Sequence, residues 1–186
     1  MVDAPKQGLC GKNRAVFLDR DGVVNAAIVK EGRPYPPWAV DDFQLLPGVV
    51  DACTSLRGAG FALVVATNQP DVGRGTLAQE TVEEMHRIMR DQLPIDRVEV
   101  CYEAGGKQSS EFRKPRPGML LKAARELDID LAQSYMIGDR WRDIDCGHAA
   151  GCTTIFIDRG YDEALQQQPD FIAADLPSAA RLILSL

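Results

Sequence analysis

An α/β fold on a doubly wound parallel sheet is predicted by three features of the chain. Apolar runs recur with helix-period segments between them, the links are mostly short, and acidic residues stand where two of the runs end. The runs at 15–18 and 61–66 have almost no polar interruption, which is the pattern of strands covered on both faces. Asp19 and Asp21 follow the first run directly. A buried strand has no structural use for two acids at its carboxyl end, and that end is where open α/β sheets bind ligands.

Each element follows in order. Residues 47–57 space Val49, Val50, Ala52, Cys53 and Leu56 as one helical face and stop at Gly58 and Gly60, completing a βαβ unit with the strands on either side. A helix is expected over 76–92, with Thr76 as its N-cap and Glu80, Glu83 and Glu84 near its positive end. A strand at 98–102, a polar loop at 103–111 and a helix at 117–127 come next, proline being acceptable in a first helical turn. The sequence then predicts a strand at 134–137, a short helix at 143–150, strands at 153–157 and 171–172, and a closing helix at 178–184. Residues 25–42 break this rhythm. With Gly32, Pro34, Pro36, Pro37, Tyr35 and Trp38 they are too long and proline-rich for a plain link, and they read as a flap over the Asp pair.

Composition bounds the function. The 186 residues suit one domain spanning 1–186, and 45% hydrophobic with 26% charged residues is ordinary for a soluble globular chain. A net charge of −6 argues against nucleic acid as the main partner but not against a small phosphorylated substrate, since a local cationic pocket fits within an acidic protein. The five cysteines, Cys10, Cys53, Cys101, Cys146 and Cys152, are odd in number and form no C-x-x-C pair, so reduced thiols and a cytoplasmic setting are expected. The first residues lack the apolar centre of a signal peptide, and no apolar run has the length to cross a membrane.

Four strand ends supply the candidate chemistry. Of Asp19 and Asp21, one carboxylate can attack an electrophilic phosphorus or carbon, the other can move the proton, and both can help hold a hard cation such as Mg²⁺. Thr67-Asn68-Gln69 closes the second strand with a hydroxyl and amides suited to phosphoryl oxygens. Arg113-Lys114-Pro115 brings a point charge for a transferring phosphoryl group and a guanidinium for a second group. Asp139 ends the strand at 134–137, and Asp143, opening the next helix, can cap it while pointing back toward Asp139. Carboxylates this close repel one another unless a divalent cation offsets them.

The ordered set D-x-D-G-V, T-N, K-P and G-D-x-x-x-D resembles the haloacid dehalogenase-like hydrolase superfamily of phosphatases, along nearly the whole chain. The resemblance implies a Rossmann-like sheet and a Mg²⁺-dependent phosphomonoesterase that works through an aspartyl-phosphate. It makes Asp19 the nucleophile, Asp21 the general acid and then base, Thr67 a phosphoryl ligand and Lys114 the residue that orients the nucleophile and screens charge. Mg²⁺ would be held by Asp19, the Asp21 carbonyl and Asp139, with Asp143 behind them.

The spelling around Asn25, Gly73-Arg74-Gly75 and Arg113–Met119 is similar to the D-glycero-D-manno-heptose 1,7-bisphosphate phosphatases and the related histidinol-phosphate phosphatases. Both groups lack a large cap domain. This implies a small phosphorylated sugar as substrate, bordered by Asn68, Gln69, Arg74, Arg113 and Arg140. A histidinol-phosphate phosphatase and a catalytically silent phosphate-binding protein are the alternatives. Those relatives commonly carry a zinc loop with Cys-x-His and Cys-x-Cys before Arg-Lys-Pro. Here the same places read Cys101-Tyr102-Glu103 and Ser110-Glu111-Phe112, and one thiolate cannot close a tetrahedral site, so no structural zinc is expected. His86 and His148 are read as ordinary helix residues.

Overall fold

The apolar runs form one parallel sheet, and the alternation of their side chains divides the core into two layers. The computed structural model describes residues 13–106 and 109–186. The expectations that fall on residues 1–12, Cys10 among them, and on residues 107 and 108 of the polar loop lie outside the described residues. The strands are β1 (Arg14–Leu18), β4 (Phe61–Asn68), β5 (Arg97–Cys101), β6 (Tyr135–Gly138), β7 (Thr153–Ile157) and β8 (Phe171–Ala173), in the spatial order β5-β4-β1-β6-β7-β8. The chain leaves β1 toward β4 and β5, then returns to the other side of β1 for β6. That reversal opens a crevice at the carboxyl ends of β1 and its neighbours, the usual binding place in such sheets.

On one face Val16, Leu18, Leu63, Val65 and Ile155 pack with helices α1 (Val49–Gly58), α3 (Gln79–Gln92) and α6 (Leu176–Ser185). On the other, Ala15, Phe17, Val64 and Met136 meet α4 (Gly118–Glu126) and α5 (Trp141–Ala150). Period-two alternation thus gives each strand two buried faces, which is why the runs carry so few polar residues. Among the described residues no helix is long and apolar enough to cross a membrane.

Three local expectations change. Helix α3 starts at Gln79 rather than Thr76, because the Thr76 hydroxyl and amide are both spent on the Asp71 carbonyl, at 3.1 and 2.9 Å, where they close the loop after a short helix α2 (Pro70–Gly73). Helix α5 starts at Trp141, two residues before Asp143. The Asp143 side chain caps from inside the first turn, its Oδ2 accepting the Arg140 amide at 3.1 Å. The segment 25–42 contains an antiparallel hairpin, β2 (Ile28–Lys30) and β3 (Arg33–Tyr35), turning on Glu31 and Gly32 with φ of 51° and 72°.

Helix α5 lies so close to the sheet that a Cβ on Gly147 would stand 2.8 Å from Met136 Cβ and 2.6 Å from Thr154 Cγ2, whereas Gly58 in α1 has nothing within 4 Å. Gly147→Ala should therefore lower stability by about 1–3 kcal/mol through overpacking. Gly58→Ala should raise it by roughly 0.5 kcal/mol through helix propensity. Urea unfolding of both variants checks the pair; equal effects would contradict the close approach of α5.

Candidate active site

The reversal of strand order brings the ends of β1, β4 and β6 together around one buried ammonium. Asp19 extends β1 by one residue, its amide bonded to the Ile137 carbonyl of β6 at 2.9 Å. Lys114 Nζ lies 2.8 Å from Asp19 Oδ1, 2.6 Å from Asp143 Oδ1 and 2.6 Å from the Ala66 carbonyl at the end of β4. Asn68 holds this lysine in place: its side-chain oxygen accepts the Lys114 amide and its NH₂ donates to the Lys114 carbonyl, both at 3.1 Å. Burial works against the ammonium, yet Asp143 and Asp19 outweigh it and hold Lys114 above its ordinary range.

Negative charge exceeds positive here. Asp19, Asp139 and Asp143 are all buried, with ligand atoms within 4.8 Å of one another. Burial first, with Asp143 and Asp21 adding and Lys114 opposing, pushes the Asp19 carboxyl up to about 6. Burial also carries Asp139 well above the carboxylate range, helped by the charges of Asp19 and Asp143 and only partly opposed by the Tyr161 hydroxyl and Lys114. Neither Asp139 oxygen makes a well-formed hydrogen bond among the described residues, although the Tyr161 hydroxyl lies nearby. Buried oxygens without such bonds, in an all-carboxylate donor set, fit a hard divalent cation. Gly22 makes the room: at φ +89° it turns the chain over Asp139, and a Cβ there would stand 1.8 Å from Asp139 Oδ2.

Asp21 is held apart from that cluster. It accepts from Arg20 Nε at 3.1 Å, from Arg20 NH2 at 3.0 and 3.1 Å, from Asn25 Nδ2 at 3.0 Å and from Gln69 Nε2 at 2.7 Å. The Gln69 amide also donates to Thr67 Oγ1 at 3.0 Å. Gln69 is expected from the sequence to touch substrate; it is instead fully buried behind the site, its amide committed to Asp21 and Thr67.

Asp19, Asp21, Thr67, Asn68 and Lys114 line a cleft of about 310 Å³, and Arg33 to Pro36 of the hairpin form one wall. Arg33, Arg74, Arg113, Arg140 and Arg142 also line it, making a cationic cleft in an acidic chain. Several of these cations are already engaged. Arg74 pairs with Asp71 at 2.9 Å, and Arg140 is gripped by Glu163 at 2.7 and 2.9 Å, with Arg142 at 3.3 Å from the same carboxylate. Arg113 donates to the Glu103 carbonyl at 2.6 Å, while the Glu103 carboxylate accepts the Ser110 amide at 2.8 Å, and these bonds tie the polar loop to the rim.

Arg20, Asn25, Arg33, Arg142, Tyr161 and Glu163 receive no role from the motifs. Of these, only Asn25 and Arg20 stand where a reader of D-x-D-G-V could have asked what the intervening and following residues do. The others reach the site from the hairpin, from the first turn of α5 and from the segment between β7 and β8, through contacts that spacing does not encode.

Comparison with known proteins agrees with this geometry. A hydrolase family model described as "HAD-hyrolase-like" matches residues 111–179. D-glycero-beta-D-manno-heptose-1,7-bisphosphate 7-phosphatase of Yersinia pestis is 40% identical over 151 residues, covering 75% of this chain and 77% of that one. D-glycero-D-manno-heptose-1,7-bisphosphate 7-phosphatase of Thermosynechococcus vestitus is 33% identical over 191 residues, covering 91% and 94%. Among solved structures, D,D-heptose 1.7-bisphosphate phosphatase from B. bronchiseptica, complexed with magnesium and phosphate, superposes with a TM-score of 0.78 at 29% identity, covering 92% of this chain and 98% of that one. The six-stranded parallel sheet, the acids at its strand ends and these relatives together make the chain a member of the haloacid dehalogenase-like hydrolases, in the family of the heptose bisphosphate phosphatases.

Proposed function

We propose that the protein hydrolyses the 7-phosphate of D-glycero-D-manno-heptose 1,7-bisphosphate. The observation that carries this reading is the buried group of Asp19, Asp139 and Asp143 around Lys114 at the foot of a cationic cleft. The names of the relatives support the substrate.

In this reading Asp19 attacks phosphorus from the end of β1, with Lys114 fixing one of its oxygens and screening the phosphoryl charge. Thr67 faces the phosphoryl oxygens from the end of β4. Asp21 gives its proton to the leaving sugar oxygen, then takes a proton from the water that releases phosphate from Asp19; acid and base help of this kind is worth about 10²- to 10⁴-fold. Asp19, the Asp21 carbonyl and Asp139, with Asp143 behind, would hold Mg²⁺, which would supply positive charge to offset the gathered oxygens. Beyond the reacting phosphate, Arg113 and Arg33 are suited to the far end of a bisphosphate, with Arg74 and Arg140 on the walls. The thiols of Cys53, Cys101, Cys146 and Cys152 are free and buried, which supports a reducing, cytoplasmic setting.

Two outcomes are expected. Activity should vanish in EDTA and return with Mg²⁺, while elemental analysis finds no stoichiometric zinc, since the 101–112 loop carries a single cysteine, Cys101, and Glu103, Ser110 and Arg113 tie it instead. One zinc per chain would contradict that reading of the loop. The wild-type enzyme should prefer heptose 1,7-bisphosphate to histidinol phosphate, and Arg113→Lys should lower its kcat/KM by at least about tenfold because an ammonium cannot reproduce the guanidinium fork. Acetyl phosphate turnover should change much less. Equal losses on both substrates would place Arg113 at the reacting centre, and a preference for histidinol phosphate would overturn the substrate.

A further inference from the structure

Arg20, between the two aspartates of the first strand end, is completely buried. A guanidinium stays charged and offers five N–H donors, so burying one is tolerable only when those donors are used. Nε and NH2 of Arg20 go to the Asp21 carboxylate, and the guanidinium carbon lies 6.0 Å from the centre of the Phe43 ring. NH1 points the other way, to helix α3, and lies 3.3 Å from His86 Nε2.

His86 is 2% exposed and carries the line of contacts onward. Its Nδ1 is 3.4 Å from Glu83 Oε2, and the other Glu83 oxygen accepts the Tyr102 hydroxyl just beyond β5. Because Arg20 can only donate, His86 Nε2 must accept, which puts the ring proton on Nδ1 facing Glu83. Burial, then the charge of Arg20, pushes the His86 imidazole down to about 4 against the pull of Glu83 and Asp21, so the ring is neutral and the Nε2 lone pair is available. A neutral ring suits this place. A carboxylate would compete with Asp21 for the guanidinium, and an apolar side chain would leave a buried donor unmet.

We propose that His86 is a positioning residue for phosphoryl transfer: it anchors Arg20 from behind, and Arg20 fixes the Asp21 carboxyl where its proton reaches the leaving oxygen. This rests on the reading of Asp21 as general acid. As the bond from Asp19 to phosphorus forms and the ester P–O bond breaks, the ester oxygen takes the Asp21 proton and leaves as the alcohol. In the second half water gives its proton to Asp21 and its oxygen to phosphorus, and the bond to Asp19 breaks, restoring both carboxyl groups. His86 touches none of the reacting atoms. Loss of its contact leaves Asn25 and Gln69 still bonded to Asp21, so the acid is misaligned rather than lost.

Misalignment of the acid has a signature that general damage lacks. A sugar alkoxide needs protonation as it leaves, and p-nitrophenolate scarcely does. The test measures kcat/KM, which reports leaving-group departure and leaves out the aspartyl-phosphate hydrolysis common to both esters, with Mg²⁺ on heptose 1,7-bisphosphate and on p-nitrophenyl phosphate for wild type, Asp21→Asn, His86→Leu and His86→Gln. Asp21→Asn should lose far more on the sugar ester than on the aryl ester. His86→Leu should lose at least about tenfold on the sugar ester and less than about twofold on the aryl ester, as expected for a misplaced proton donor. His86→Gln, whose amide oxygen can accept from Arg20 while its NH₂ faces Glu83, should restore most of that loss. Should His86→Leu fail to fold, Glu83→Ala at the outer end of the line should show a smaller loss confined to the sugar ester.

Equal losses of Asp21→Asn on the two esters would end the acid reading and the proposal with it. A selective Asp21→Asn beside an unselective or silent His86→Leu, or a Glu83→Ala without a selective loss, would overturn the role of His86 alone.

Discussion

The site depends on Lys114, a buried ammonium hydrogen-bonded to a nucleophile candidate and to a strand carbonyl and ion-paired with the capping acid of a helix. Withdrawing such a charge from water costs several kcal/mol, and removing one partner from a buried pair typically costs about 3–5 kcal/mol. The lysine is tolerable because Asp19 and Asp143 converge on it, and their convergence is tolerable because the lysine is there. Asp139 is the excess. Its two oxygens, without a well-formed hydrogen bond among the described residues, mark where this balance is incomplete without a cation.

Topology makes that convergence possible. Asp19 and Asp139 come from adjacent parallel strands, and the crossover that takes the chain from β5 back to β6 lays their carboxyl ends side by side. Lys114 arrives from a loop, steered by the Asn68 amide, and Asp143 from the first turn of α5. The same ends open onto a cleft whose arginines reverse the sign of the protein's net charge locally, so an anionic substrate meets a positive surface on an acidic molecule.

Much of this was legible in the sequence because apolar runs and abrupt acids are local signals. The order of strands and helices, the parallel sheet and the meeting of Asp19, Thr67, Lys114 and Asp139 follow from them. Boundaries were less legible. Thr76 has the chemistry of an N-cap, but the Asp71 carbonyl captured it, and Asp143 caps from the third position of its helix rather than opening it. The hairpin hides in a proline-rich stretch whose pairing rests on the turn at Glu31 and Gly32. Hardest to read are partners distant in sequence. Gln69 carries the sequence signal of a substrate ligand, yet its amide is committed to Asp21, and His86, a residue of α3, meets Arg20 across 66 positions.

The central claim is that Asp19 carries the phosphoryl group between the sugar and water. Two displacements at phosphorus invert its configuration twice, and direct attack by water inverts it once. Turnover of a phosphorothioate substrate whose thiophosphoryl group is made chiral with two oxygen isotopes, run in water carrying the third, with the configuration of the released inorganic thiophosphate read by phosphorus NMR, separates the two. Transfer through Asp19 predicts net retention of configuration; net inversion would contradict it.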